Sequence, residues 1–224
     1  MGTKKTTAPN LTYSELYQRY CKKADIIHHF AENLAQTLGV FHGINETGKK
    51  LKVEGNFSRA MNTILFDQLQ LMIIRVCALC GKSTKPDDAS LEELVEGITQ
   101  PSFQLFLVEK ELKWQNAYPH RMKTVGEIPR FSRALKARWS ILSAETDALA
   151  RIKHYRNKVL AHATTGLDPT SKVLIRDIWR VSRLALSVAK YIRLLLKRQE
   201  WNYLEHSTDA KASGKALVRA LSAK

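Results

Sequence analysis

The chain has 224 residues, 36 Lys and Arg against 21 Asp and Glu, and a formal charge of +15. With 44% hydrophobic residues it has enough apolar material for a packed domain, which excludes a disordered polyelectrolyte. Three cysteines, Cys21, Cys77 and Cys80, form no disulfide framework and no zinc-type second pair, so the expectation is a reducing, cytoplasmic protein with structural thiols. The excess of cations favours polyanionic partners, nucleic acid above all, and equally serves solubility.

Met1 to Asn10 is polar and lacks the apolar core of a signal peptide. Leu11 to Leu38 reads as a helix with Thr12 or Ser14 as cap and Gly39 as its stop, followed by a Gly- and Lys-rich connection from Gly43 to Gly55. Asn56 or Ser58 caps a strongly apolar helix to Cys80, closed by Gly81. Asp67, Gln68, Gln70 and Arg75 interrupt it, so it is read as a core helix and no membrane contact is expected. Asp67 and Arg75 either find partners near the motif described below or lie at an exposed edge.

Lys82 to Ala89 is a loop. Ser90-Leu91-Glu92-Glu93 is a capping box that opens a short helix to about Ile98. Pro101 starts the next, Ser102 to Asn116. After a loop from Ala117 to Pro129, an amphipathic stretch runs to about Ser143, and a further helix ends near Ala163. Thr164 to Thr170 is a turn, and Ser171 to about Glu205 a long final helix. In that helix Leu174, Ile178, Val181, Ala185, Val188, Ile192 and Leu195 form a packing seam, within the chain or across a dimer. Residues 207–224 read as a polar, mobile tail, or as a short helix that docks on a partner. No run shows period-two alternation. The expectation is an all-α bundle of six or seven helices spanning residues 1–206 as a single domain.

The stretch that carries chemistry is Arg156-Asn157-Lys158-Val159-Leu160-Ala161-His162. Arg is a fixed-charge fork suited to phosphate, and His exchanges protons near neutrality. Ala148, Ile152, Tyr155, Val159 and His162 follow steps of four and three, so His162 shares a stripe with packing residues. In a regular helix Arg156 and His162, six residues apart, diverge by about 120°. One copy would not aim both at a single phosphate, whereas two copies meeting on a two-fold axis would pool them. Taken alone, Arg156 and His162 read equally as a salt-bridging cation and a satisfied core imidazole. Arg176, Arg180 and Arg183, off the seam of the last helix, form either a solvated face or an RNA track. His28 and His29 are adjacent and face apart, and no third ligand accompanies Asp25 and His29, so no metal site is expected. Trp114, Trp139, Trp179 and Trp201 are read as core or interface anchors.

The segment Tyr155-Arg156-Asn157-Lys158-Val159-Leu160-Ala161-His162 resembles the Arg-Asn/Asp-Lys-x-x-Ala-His motif of the abortive-infection AbiU-type branch of the HEPN superfamily. The apolar helix Ser58 to Cys80, with Phe66-Asp67 and Ile74-Arg75, is similar to that branch's long upstream helix, and the resemblance spans Leu11 to Tyr203. It implies a HEPN-like helical homodimer that cleaves RNA without metal or other cofactor, as a toxin or in phage defence, with an antitoxin or regulatory protein as a further partner. It also implies that Arg156 binds the scissile phosphate and His162 handles the 2′-hydroxyl or leaving-group proton. Asn157 and Lys158 would position the substrate. Some members carry a tyrosine two residues after the motif His that a partner enzyme modifies, and here that position is Thr164. Other members have lost catalysis and only bind, so the alternative is a non-catalytic helical adaptor for RNA or a protein partner.

Overall fold

A computed structural model describes residues 11–51, 55–82, 88–117, 126–157, 173–199 and 201–222. Among them it is all-α, with eight helices: α1 Tyr13–Leu51, α2 Gly55–Cys80, α3 Leu91–Ile98, α4 Pro101–Ala117, α5 Glu127–Ser143, α6 Thr146–Tyr155, α7 Ile175–Lys197 and α8 Tyr203–Ser222.

The axis of the bundle is α1, whose 39 residues span about 58 Å at 1.5 Å per residue. Its buried face is Ala24, Ile27, Ala31, Leu34, Ala35, Leu38 and Phe41, the three- and four-residue spacing of a core stripe. Gly39 does not stop it. A methyl group at Gly39 would collide with the Ser207 carbonyl oxygen, and one at Gly43 with that of Lys211. On the opposing helix, a Cβ at Gly214 would lie 2.6 Å from the Val40 carbonyl oxygen. These glycines serve a close approach of two backbones, not a turn. The neighbours Val40, Phe41 and Ile44 remain apolar and inward, so burial carries the helix through them.

The partner in that approach is α8, so residues 207–222 are part of a helix on the bundle instead of the expected tail. It runs parallel to α1: Tyr203 meets His28, Ala210 meets Gly39, and Val218 joins Ile44 and Met61 in a small second core. Glu46 clips the two together, with Lys211 Nζ at 2.8 Å and Lys215 Nζ at 3.4 Å.

Two helices run antiparallel to α1. Arg75 Nη1 of α2 donates to the Asn33 carbonyl at 2.6 Å, giving the interrupting cation a backbone partner, whereas Asp67 is exposed. Tyr17 of α1 donates its hydroxyl to Leu196 O of α7 at 2.7 Å. The seam of α7 packs inside the chain, with Ile178, Val181, Ala185, Val188, Ile192 and Leu195 all buried. The final expected helix is therefore two, divided where Arg198 takes a left-handed φ of 54°. That conformation is costly for a side chain with a Cβ. It is held by Glu111, a buried carboxylate 2.9 Å from Arg198 Nε.

The capping box at α3 forms by half. Ser90 Oγ accepts from Glu93 N at 3.2 Å, a cap worth roughly 1 kcal/mol. Glu93 does not reach back; both its oxygens lie 2.6 Å from Nζ of Lys23, which is buried on α1. A buried ammonium needs such a partner, and this demand outweighs the second half of the box.

Gly43→Ala tests the helix crossing. In an isolated helix the change would favour folding by about 1 kcal/mol. Here overpacking against the Lys211 carbonyl should dominate and destabilise by roughly 1–3 kcal/mol. Thermal denaturation should show a lowered midpoint, and amide exchange should quicken first in α8. A raised midpoint would mean that the two backbones do not meet there.

The Glu46 clip is also pH-sensitive. Its hydrogen bond to Lys211 holds the Glu46 carboxyl down to about 2, from an ordinary 4.5. A depressed carboxylate stabilises the fold above its unfolded value and ceases to do so as pH falls through the folded one. His42, one turn away at 3.4 Å, has its pKa lowered by burial and then by Lys211. A depressed imidazole likewise weakens the fold once pH drops below its ordinary 6.5, because the unfolded chain then binds the extra proton. Docking of α8 should therefore loosen progressively from about pH 6.5 down to about pH 2, read by the fluorescence of Trp201 at the start of that helix. Glu46→Gln should flatten the part below pH 4.5.

Candidate functional site

Helix α6 presents Ala148 and Ile152 to the core and carries Lys153 and His154 in its last turn. The Arg156 N–H reaches back to the carbonyls of both Ile152 and Lys153, and the chain widens into a π turn at Arg156 and Asn157. Such turns re-aim side chains and recur at functional sites.

Arg156 is exposed, and its side chain is held by its neighbour. Asn157 Oδ1 accepts from Arg156 Nε at 3.0 Å and from Nη2 at 2.7 Å. This consumes one edge of the guanidinium, two of its five N–H groups. The edge formed by Nη1 and the second Nη2 proton remains available for a two-point contact with a phosphate. Asn157 is thus placed to orient the arginine.

Arg156 borders a cleft of about 330 Å³ between α1 and the C-terminal end of α2. Ile26 and Phe30 of α1 and Cys77, Ala78 and Gly81 supply its apolar wall, and Lys82 and Asp88 stand at its edge. Burial pushes the Cys77 thiol up, against the opposing pull of Arg156 and Lys153. Burial likewise pushes Cys80 up to about 12, with Cys77 adding to it. Neither is a thiolate near neutral pH, and all three cysteines are free. The cleft offers a positioned cation beside an apolar wall, without a thiol nucleophile. Among the described residues no three His, Cys, Asp or Glu side chains gather as a metal site.

Of the motif, the structure brings together Arg156 and Asn157. Lys158 and His162, with Val159, Leu160, Ala161 and Thr164, lie outside the described residues. The three arginines of α7 do not share one environment. Arg180 Nη2 lies 2.5 Å from Glu145, and Arg176 Nε 3.9 Å from Asp177, which Arg151 also holds at 2.7 Å. Arg183 instead borders a separate cavity with Arg138 of α5 and Lys190. His28 and His29 are likewise divided, His28 Nδ1 lying 3.0 Å from the Tyr203 hydroxyl and His29 Nε2 3.1 Å from Asn33 Nδ2.

Sequence reasoning missed the cleft wall, because Ile26 and Phe30 lie far from the motif in the chain. It also missed Arg138, which has no motif around it. No family model, curated protein or solved structure matches the chain.

The Cys77 thiol reports on the cleft. In a chain with Cys21→Ser and Cys80→Ser, alkylation of Cys77 should have its pH midpoint above that of an ordinary thiol. Adding Arg156→Ala should move the midpoint higher still, since the cation favours the thiolate. A midpoint that ignores Arg156 would detach that arginine from the cleft.

Proposed function

We propose that this protein is an RNA endonuclease of the toxin or phage-defence type, with a HEPN-like fold, acting as a homodimer without a metal. The observation that carries the reading is Arg156 fixed by Asn157 through one guanidinium edge, at the mouth of a cleft. A cation pre-oriented for phosphate is what phosphodiester transesterification needs, since charge grows on the phosphorus oxygens. The motif supplies the proton transfer: His162 takes the 2′-hydroxyl proton as the 2′-oxygen attacks phosphorus. The P–O5′ bond breaks, and the departing 5′-oxygen receives a proton from the same imidazole or the second copy's. The products are a 2′,3′-cyclic phosphate and a 5′-hydroxyl. Lys158 adds charge alongside.

Support for the homodimer comes from α2. Phe66 and Ile74, two turns apart on α2, are each 46% exposed, and Ile26 of the cleft wall is 40% exposed. Ser58–Cys80 is long and apolar enough to cross a membrane, with a mean hydropathy of 1.6. An apolar face of this kind calls for a covering. A second copy seated on it would bring two clefts to one axis. The same face favours the other reading, a non-catalytic adaptor whose α2 holds a protein partner.

The discriminating experiment incubates purified protein with labelled RNA and a chelator. Cleavage leaving a cyclic phosphate is expected. Arg156→Ala and His162→Ala should each lower the rate by about 10²–10⁴ with the helical circular dichroism unchanged. Activity that disappears with chelator and returns with magnesium overturns the metal-free mechanism. Tight, salt-sensitive RNA binding without cleavage, unaffected by His162→Ala, selects the adaptor.

A further inference from the structure

The cavity that Arg183 borders, about 400 Å³ between α5, α7 and the start of α8, differs in character from every other concave surface described above. Arg138, Arg183 and Lys190 lie around it, and Tyr191, Asn202 and Tyr203 complete its wall. Lining α7's other arginines, the neighbouring cavity at the α5–α6 turn is neutralised: Glu145 holds Arg180, and Asp177 holds Arg151 and Arg176. Among the described residues no carboxylate lines the Arg183 cavity, and none pairs with Arg138 or Arg183.

Cations converging on one cavity repel, and an anion of matching charge relieves that repulsion. Two arginine forks suit a phosphate group, each by a two-point contact. The volume is that of a small-ligand pocket and accommodates one nucleotide. The Tyr203 hydroxyl is hydrogen-bonded with His28 Nδ1 at 3.0 Å, while Tyr191 is half-buried with its ring tilted against Phe131. The cavity wall thus offers aromatic surface for a base, and the Asn202 amide offers both a donor and an acceptor for base or ribose.

We propose that this cavity binds a phosphorylated nucleoside, its phosphates on Arg138, Arg183 and Lys190 and its base against Tyr191. The source is either a free nucleoside polyphosphate or one nucleotide of an RNA strand, and the site stands whether or not the Arg156 cleft is catalytic.

The test titrates the full chain by calorimetry with ATP, inorganic tripolyphosphate and a short single-stranded RNA. ATP or the RNA should bind, and the double change Arg138→Gln with Arg183→Gln should weaken that binding at least tenfold. Arg176→Gln with Arg180→Gln should leave it within about twofold. Tyr191→Ala should weaken ATP or RNA without weakening tripolyphosphate. In the unaltered chain, the bound ligand should protect Arg138 and Arg183 from phenylglyoxal, read by mass spectrometry. Binding of ATP assigns a free nucleotide, and binding of the RNA alone assigns the polymer. Equal affinity in the Arg138/Arg183 double variant overturns the site. Tripolyphosphate binding as tightly as ATP, with Tyr191→Ala silent, overturns the nucleoside. Failure of ATP and the RNA to bind at millimolar concentration overturns the proposal.

Discussion

The close approach of α1 and α8 is the constraint on which the rest of the structure depends. Two helices whose backbones touch must present glycine to one another, and Gly39, Gly43 and Gly214 do so. Because α8 then lies parallel to α1, the chain must return between them, and α7 does this antiparallel to both. The turn joining α7 to α8 is therefore fixed in position and can tolerate a left-handed Arg198 held by Glu111. The same geometry closes the Arg138–Arg183 cavity, since Asn202 and Tyr203 enter its wall only where α8 begins.

Local signals with one physical meaning were legible in the sequence. Ser90 as a cap, Pro101 as a helix start, and the α7 seam each appear where propensity and burial agree. What was not legible is instructive in kind. Glycine carries two meanings, a chain reversal and a close contact, and the sequence does not choose between them locally. Gly39-x-x-x-Gly43 faces Ser207, Ala210, Lys211 and Gly214 across 160 or more residues, so each half reads alone as a breaker or a polar tail. Read together, the small residues spaced by three and four on both segments are the signal. Glu93 shows a similar competition: its capping role and its partnership with Lys23 exclude one another, and the buried ammonium wins.

The charge of +15 also separates into parts that the sequence blends. Four of the cations are held by carboxylates inside the bundle: Lys23 by Glu93, Lys197 by Asp25, Lys211 by Glu46 and Arg180 by Glu145. Arginines three and four residues apart on α7 look like one stripe on paper. On the bundle they line two successive cavities along that face, where neighbours of opposite character pack: the α5–α6 turn brings acids, α5 brings Arg138. Net charge thus ranks partners, while the distribution of carboxylates decides which cations remain to meet them.

Of the candidate site, half was legible in the sequence. Arg156 beside Asn157 reads as a cation with a polar neighbour, and the side-chain geometry gives that adjacency a direction. An amide oxygen taking the Nε edge leaves the opposite edge of the same planar group, so residue i+1 selects which face of the arginine meets a ligand. The π turn that makes this pairing local also breaks the periodicity used to relate Arg156 to the residues after it. Ile74, 46% exposed on α2, precedes by one turn the Cys77 and Ala78 that line the Arg156 cleft, so an exposed apolar side chain and an oriented cation share one end of that helix.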